Sequence, residues 1–337
     1  MTLHEVRTTT AGRKLLILIA AFFAVYVFWG STYLAIKYAI ETLPPFLMAG
    51  SRFLFAGSIL FVWARLTKDY ETPTWEQWRT SIIVGTLLLL GGNGGVVLAQ
   101  HYIPSSLAAL LVATEPLWIV LLSWLWLNGV RPNWKVVLGL LVGFAGVGLL
   151  VTDSAAAGAR TSGWGQWIGV AAVLIGAMSW ATGSIYGLRG AAPKSSLLAA
   201  GMQMMAGSVS LLLVGIIRGE WGMFDPSGVS TSSLFGLAYL IVFGSLIGFT
   251  AYSWLLKNAR PSMVATYAYV NPVIAVLLGW MIAGEAMTGQ MLIGAGVVVG
   301  SVVLITSQNT KEPEDDAEEI HRSQALAENC GTASARA

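Results

Sequence analysis

The sequence predicts an all-α integral membrane protein: ten transmembrane helices in two inverted repeats of five, with the N- and C-termini cytoplasmic. Three observations predict it. Hydrophobic residues make up 55 % of the 337 residues and charged residues only 11 %, against roughly 25 % charged in an ordinary soluble domain. The apolar residues come in blocks of about 20, the length that crosses a hydrocarbon core about 30 Å thick. The sequence also repeats itself weakly at a spacing of 156 residues.

Apolar runs between polar breaks place the spans at 15–37, 46–66, 78–100, 105–127, 134–151, 164–188, 195–217, 234–256, 262–283 and 287–306. The first run follows Arg13 and Lys14 as a signal peptide would. It is too long for one and lacks a small-x-small cleavage pattern, so it reads as a retained span. Connections are short and carry turn residues: Pro44-Pro45, Asn128-Gly129, Arg131-Pro132-Asn133 and Asp225-Pro226-Ser227-Gly228. With the N-terminus inside, 15 of the 19 Lys and Arg residues fall in inner segments. Only Lys37, Arg160 and Arg218 fall outside, and Arg52 lies within the second span. Dropping one span would invert every later loop and destroy this bias.

The chain therefore divides into a cytoplasmic N-terminal segment, 1–14, a first repeat, 15–152, a second repeat, 164–307, and a tail, 308–337. The tail holds the acidic run Glu312-Pro313-Glu314-Asp315-Asp316. It cannot bury a core and is expected to be disordered in the cytoplasm.

The repeat rests on Gly92 with Gly248, Ser106 with Ser262, Ala109 with Ala265, Pro116 with Pro272 and Trp124 with Trp280. Earlier in each half, Phe28-Trp29-Gly30-Ser31 faces Ser179-Trp180-Ala181-Thr182. Five spans per half is an odd number, so the halves cross the membrane in opposite senses. Inverted repeats suit alternating access around a central site, which favours a carrier over an enzyme, channel or receptor.

Other classes lose support. Net charge is +2 with no basic stripe, so no nucleic-acid partner is expected. The single cysteine, Cys330, allows no internal disulfide and no cysteine-pair metal site, and no metal or cofactor is expected. No Walker-type glycine loop, His-Glu-x-x-His or Gly-x-Ser-x-Gly occurs. The expected partners are a small-molecule substrate, the lipid bilayer and protons as a coupling ion; the oligomeric state is left open.

Several segments resemble one family. They are Phe28-Trp29-Gly30-Ser31-Thr32-Tyr33, the Pro-Pro before Ala49-Gly50-Ser51-Arg52-Phe53, Gly92-Asn93-Gly94, Thr114-Glu115-Pro116-Leu117, and Tyr267-Ala268-Tyr269-Val270-Asn271-Pro272 followed by Gly284-Glu285. Their order over about 15–307 resembles the EamA family of the drug/metabolite transporter superfamily, and within it the YedA-like permeases. The resemblance implies two EamA repeats, a cavity between them, a place in a bacterial inner membrane, and efflux of metabolites, amino acids or drugs. It also implies an acidic residue before the histidine that ends the third span. This sequence has Gln100 before His101.

A charge in the hydrocarbon core costs at least about 2.5–3.5 kcal/mol, so each one is informative. Glu115 reads as a substrate-ammonium contact and coupling carboxyl, or else as a protonated or Arg-paired structural group. His101 is the second coupling candidate, or an interfacial histidine. Arg52 reads as a charge contact for a substrate carboxylate, or as a helix-end anchor paired with Glu41. Asn93, in a run of glycines, offers a donor and an acceptor. Pro116 and Pro272 each remove a helix hydrogen bond at matched positions and are candidate gating points. Glu115 and Asn271 precede them. With Trp29, Trp180 and Tyr267 they complete the expected substrate lining. Glu285 reads as a loop cap.

Overall fold

The computed structural model describes residues 14–67, 70–126, 134–153, 163–259, 261–264 and 266–309. The N-terminal segment up to residue 13, the tail from residue 310 and the turns at 128–133 lie outside the described residues. Among the described residues the chain is helical and contains no strand. Eight helices are long and apolar enough to cross a membrane: α1 (Lys14–Ala39), α2 (Pro45–Leu66), α3 (Trp75–Ala99), α4 (Ser105–Leu125), α5 (Trp134–Thr152), α6 (Trp164–Arg189), α7 (Ser196–Ile217) and α8 (Thr231–Leu255). Two further apolar helices follow, α9 (Tyr267–Ala283) and α10 (Gly289–Asn309).

Local chemistry sets the helix ends. Pro45 starts α2 at the first helical position, where its missing N–H costs nothing. Thr74 and Gln77 close a capping box on α3. Ser195 caps α7 and Ser230 caps α8. Gly219 (φ 75°) and Gly284 (φ 61°) turn the chain in left-handed conformations after α7 and α9. The outward surface is apolar, with Phe55, Trp63, Leu141, Ile216 and Ile293 all exposed, as a lipid-facing surface requires. Trp75, Trp134, Trp164 and Trp221 stand exposed at helix ends, where an aromatic belt sits.

Matched helices of the two repeats pair with each other. α2 packs along α7, and α5 along α10. Gly57 and Gly201 make the first crossing: a Cβ on either would lie 3.1 Å from the other's carbonyl oxygen. Gly143, Gly244 and Gly248 also meet neighbours closely, whereas Gly296 and Gly300 of α10 meet nothing within 4 Å. α10 uses Gly294 instead, against Leu150 of α5.

Two departures from regular helix recur in both halves. α3 is π-helical over Thr86–Asn93 and α8 over Leu240–Ile247. The fourth span of each half is interrupted. α4 is two pieces, Ser105–Val112 and Glu115–Trp126, and a short helix at Pro261–Val264 precedes α9. The sequence predicts one continuous helix in each place. Thr114 explains the first break: its hydroxyl donates to the Leu111 carbonyl at 2.7 Å, and Pro116 has no N–H to continue the ladder. Pro272 lies inside α9, one turn beyond that helix's start, rather than at the break.

Candidate functional site

The helices line a central cavity of about 90 Å³, well above the roughly 10–15 Å³ that admits a water. Its lining contains Trp29, Asn93, Glu115, Trp180, Tyr267 and Asn271, together with Arg52. These residues come from α1, α2, α3, α4, α6 and α9, so the cavity belongs to both repeats. Pro116 and Pro272 are next to lining residues and do not line it. His101 lies in the turn after α3, outside the lining, so the two coupling candidates are not brought together.

The tryptophans are set by a reciprocal arrangement. Gly92 of α3 abuts Trp180 of α6, where a Cβ would lie 2.7 Å from the ring. Its partner in the repeat, Gly248 of α8, abuts Trp29 of α1, where a Cβ would lie 2.6 Å from the indole nitrogen. Each π-helical segment frees carbonyls, and the first helix of the other repeat supplies the donor. Trp29 Nε1 donates to the Gly244 carbonyl at 3.0 Å, and Ser179 Oγ donates to the Leu87 carbonyl at 2.8 Å. The two tryptophan rings then meet edge to face, 6.2 Å apart. Tyr252 and Tyr267 complete the aromatic cluster, each in contact with Trp29.

Arg52 neither snorkels to the surface nor pairs with Glu41. It is 3 % exposed. Its Nε donates to Ser245 Oγ at 2.8 Å, its guanidinium lies 4.5 Å from the Phe53 ring centre, and one terminal nitrogen is buried without a protein partner. Gly244 makes room for the other, since a Cβ there would sit 2.8 Å from it. Glu41 instead accepts from Ser232.

Glu115 is equally buried. Both its oxygens accept from the Tyr267 hydroxyl, at 2.9 and 3.1 Å. No ion pair joins it to Arg52, so a guanidinium and a carboxyl line one cavity apart from each other. Asn271, with its amide nitrogen facing α1, donates to the carbonyls of Tyr26 and Val25 at 3.1 and 3.2 Å. Those residues lie in the π-helical stretch Ala24–Phe28, whose carbonyls are displaced from the regular ladder. Asn271 therefore holds the α1 wall. The Asn93 amide oxygen and the Trp180 indole nitrogen are buried polar atoms without a protein partner. Such atoms cost free energy unless something fills them, and in this lining a polar solute or water is what reaches them.

Sequence reasoning passed over Tyr33, Thr32 and Ser245. Ser245 had a signal, a hydroxyl interrupting the apolar run 240–249 of the eighth span. It also passed over a polar cluster at the end of the bundle that carries the 39–45 and 283–289 connections. There the Glu285 carboxylate accepts from Lys37 Nζ at 2.9 Å, Ser105 Oγ at 2.7 Å, and the backbone N–H groups of Ser105 and Ser106, both at 3.0 Å. Burial pushes the Glu285 carboxyl up, but these bonds outweigh it and hold it down at about 2. The signal was Lys37, a cation on the side where the charge bias places few.

Comparison with known proteins decides the family. Residues 15–152 and 167–307 each match the EamA-like transporter family. The chain belongs to that family. It is 39 % identical over 297 residues to the uncharacterized inner membrane transporter YedA of Escherichia coli strain K12, covering 87 % of this chain and 92 % of that one. It is 30 % identical over 300 residues to the uncharacterized transporter YvbV of Bacillus subtilis strain 168, with the same coverage. A crystal structure 23 % identical in sequence superposes with a TM-score of 0.58, covering 88 % of this chain and 98 % of that one, and shows the shared fold alone. This EamA-family chain is thus a multi-pass inner-membrane transporter.

Proposed function

We propose that the chain is a secondary carrier that exports small metabolites, such as amino acids or amphipathic drugs, by alternating access. In this reading it has ten spans and cytoplasmic termini, and its repeats, 15–152 and 164–307, are inverted. The charge bias supports the orientation: the inner segments, termini included, hold 15 of the 19 Lys and Arg residues. Export follows the family resemblance.

The observation that carries the reading is the separation of Arg52 from Glu115 in one cavity. A buried ion pair that served stability would be in contact, since an unpaired buried charge is costly. Here each charge has a single hydroxyl partner, Ser245 or Tyr267, and keeps binding capacity towards the cavity. A solute with a carboxylate and an ammonium group fills both. Trp29, Trp180 and Tyr267 supply faces for its apolar part. Glu115 is also the coupling group in this reading, because it alone of the two coupling candidates reaches the cavity.

The test is counterflow in proteoliposomes loaded with an amino-acid mixture and read by mass spectrometry, with and without a pH gradient. Saturable exchange of particular amino acids, accelerated by the gradient in the native chain and not in Glu115→Gln, is the expected result. Flux that does not saturate and shows no counterflow would identify a channel instead. Chemical turnover of a solute in detergent would identify an enzyme.

A further inference from the structure

Glu285 lies in the second repeat, just after α9, with only 6 % of its side chain exposed. Its backbone N–H donates to the Gly279 carbonyl at 3.0 Å, and Gly279 has no side chain to displace the carboxylate: a Cβ there would lie 2.6 Å from Oε2. All four of its other hydrogen bonds go to the first repeat, from Lys37 at the end of α1 and from Ser105 and Ser106 at the start of α4. A second carboxylate at the same end repeats the pattern. Glu220, between α7 and α8, accepts from the backbone N–H groups of Phe46 and Leu47 at the start of α2, at 2.9 and 3.0 Å. Two loops of the second repeat thus cap two helices of the first, which favours anionic groups at helix N-termini.

The cluster is joined to the cavity by two helical segments. From Lys37, α1 runs back to Ile36, Tyr33 and Trp29 in the lining. From Ser105, the first piece of α4 runs to Val112 in the lining, and the break at 113–114 separates it from the piece that starts with Glu115. The Ser105–Val112 piece is therefore a short helix with a carboxylate holding one end and the break at 113–114 at the other.

We propose that Glu285 is a releasable latch: its carboxylate holds the two repeats shut at the Lys37 end, and the cavity opens there only when Lys37, Ser105 and Ser106 let it go. The inference rests on the alternating-access reading above. It adds the contact that must break in each cycle, and it assigns the joint at 113–114 as the pivot.

The test needs no substrate. In a Cys330→Ser background, Val112→Cys provides one thiol in the cavity wall. A membrane-impermeant maleimide is applied to each face of sealed vesicles in turn. Glu285→Gln and Lys37→Met are expected to raise the labelling rate from the face that carries Lys37 by about tenfold, the factor expected for losing a charge-assisted contact from the closed state alone. Labelling from the opposite face is expected to fall. Rates unchanged in both variants would overturn the latch. So would equal acceleration from both faces, which marks a loosened bundle. Should Glu285→Gln not fold, Lys37→Met still decides, since it leaves the serine bonds in place. If labelling responds but amino-acid counterflow is absent, the substrate assignment fails and the latch stands; counterflow with unresponsive labelling overturns the latch and leaves the carrier.

Discussion

Glu115 and Glu285 are both buried carboxylates, and they are treated in opposite ways. Glu285 receives four hydrogen bonds, one of them from a cation. Glu115 receives one phenol shared between its two oxygens, and Arg52, the cation among the described lining residues, makes no ion pair with it. Saturated partners make a carboxylate a fastening between the repeats. Sparse partners leave it available for a solute or a proton. Number of partners, rather than burial, separates the two roles.

The largest effect that would break this comparison is at the sparse site. Glu115→Gln and Arg52→Gln are each expected to weaken substrate affinity by about 10- to 150-fold, the loss of one charge-assisted hydrogen bond of about 1.5–3 kcal/mol. Transport kinetics check it, and unchanged affinity in both variants would make the cavity charges structural. Next in size is the glycine–tryptophan reciprocity. Gly92→Val and Gly248→Val are each expected to cost about 1–3 kcal/mol of stability by overpacking. Similar losses in thermal unfolding would sharpen the pseudo-symmetry. A loss confined to one of them would show that only one repeat depends on it.

The saturated site makes a smaller prediction with a definite sign. The folded Glu285 carboxyl is held at about 2, below its ordinary 4.5. Its contribution to stability is therefore complete above that ordinary value and disappears as pH falls towards 2. The difference in melting temperature between the native chain and Glu285→Gln should be flat from about pH 5 to 8 and shrink only in acid. The smallest effect is at the opposite end of the bundle. Lys194 and Glu71 form an ion pair at 2.7 Å, but both side chains are exposed. Lys194→Ala should leave the melting temperature unchanged.

Much of the fold was legible because a bilayer leaves few alternatives: spans must be long, apolar and helical. Span ends set by Pro45, Thr74 and Gly284 follow from local chemistry that a sequence displays. The breaks at 113–114 and before Tyr267 were half legible. Pro116 and Pro272 announced a lost hydrogen bond, but Thr114 and its own backbone bond decided where the first helix ended. The π-helical stretches carry no compositional mark and were invisible. For the cavity, charged and amide side chains inside apolar runs pointed to Arg52, Asn93, Glu115 and Asn271, because such residues are too costly to be placed idly. Arg52's partner was misjudged. Glu41 is close in sequence, whereas Ser245 comes from a helix 193 positions away, and no periodicity announces such a contact. A separation of 248 positions likewise hid Glu285 from Lys37.

The π-helical stretches of α3 and α8 have a consequence for how such chains diverge. An α-helix turns by about 100° per residue. A π-helical turn holds more residues than an α-turn, so removing a single residue between 86 and 93 would let the stretch wind regularly with Val96 still on the cavity side, and would withdraw the displaced carbonyl that Ser179 now meets. The seat for the facing helix is thus written partly in residue count. Two relatives with the same polar residues in the same order dock that helix differently if one lacks the extra residue, and gap positions inside these two helices carry as much information as substitutions.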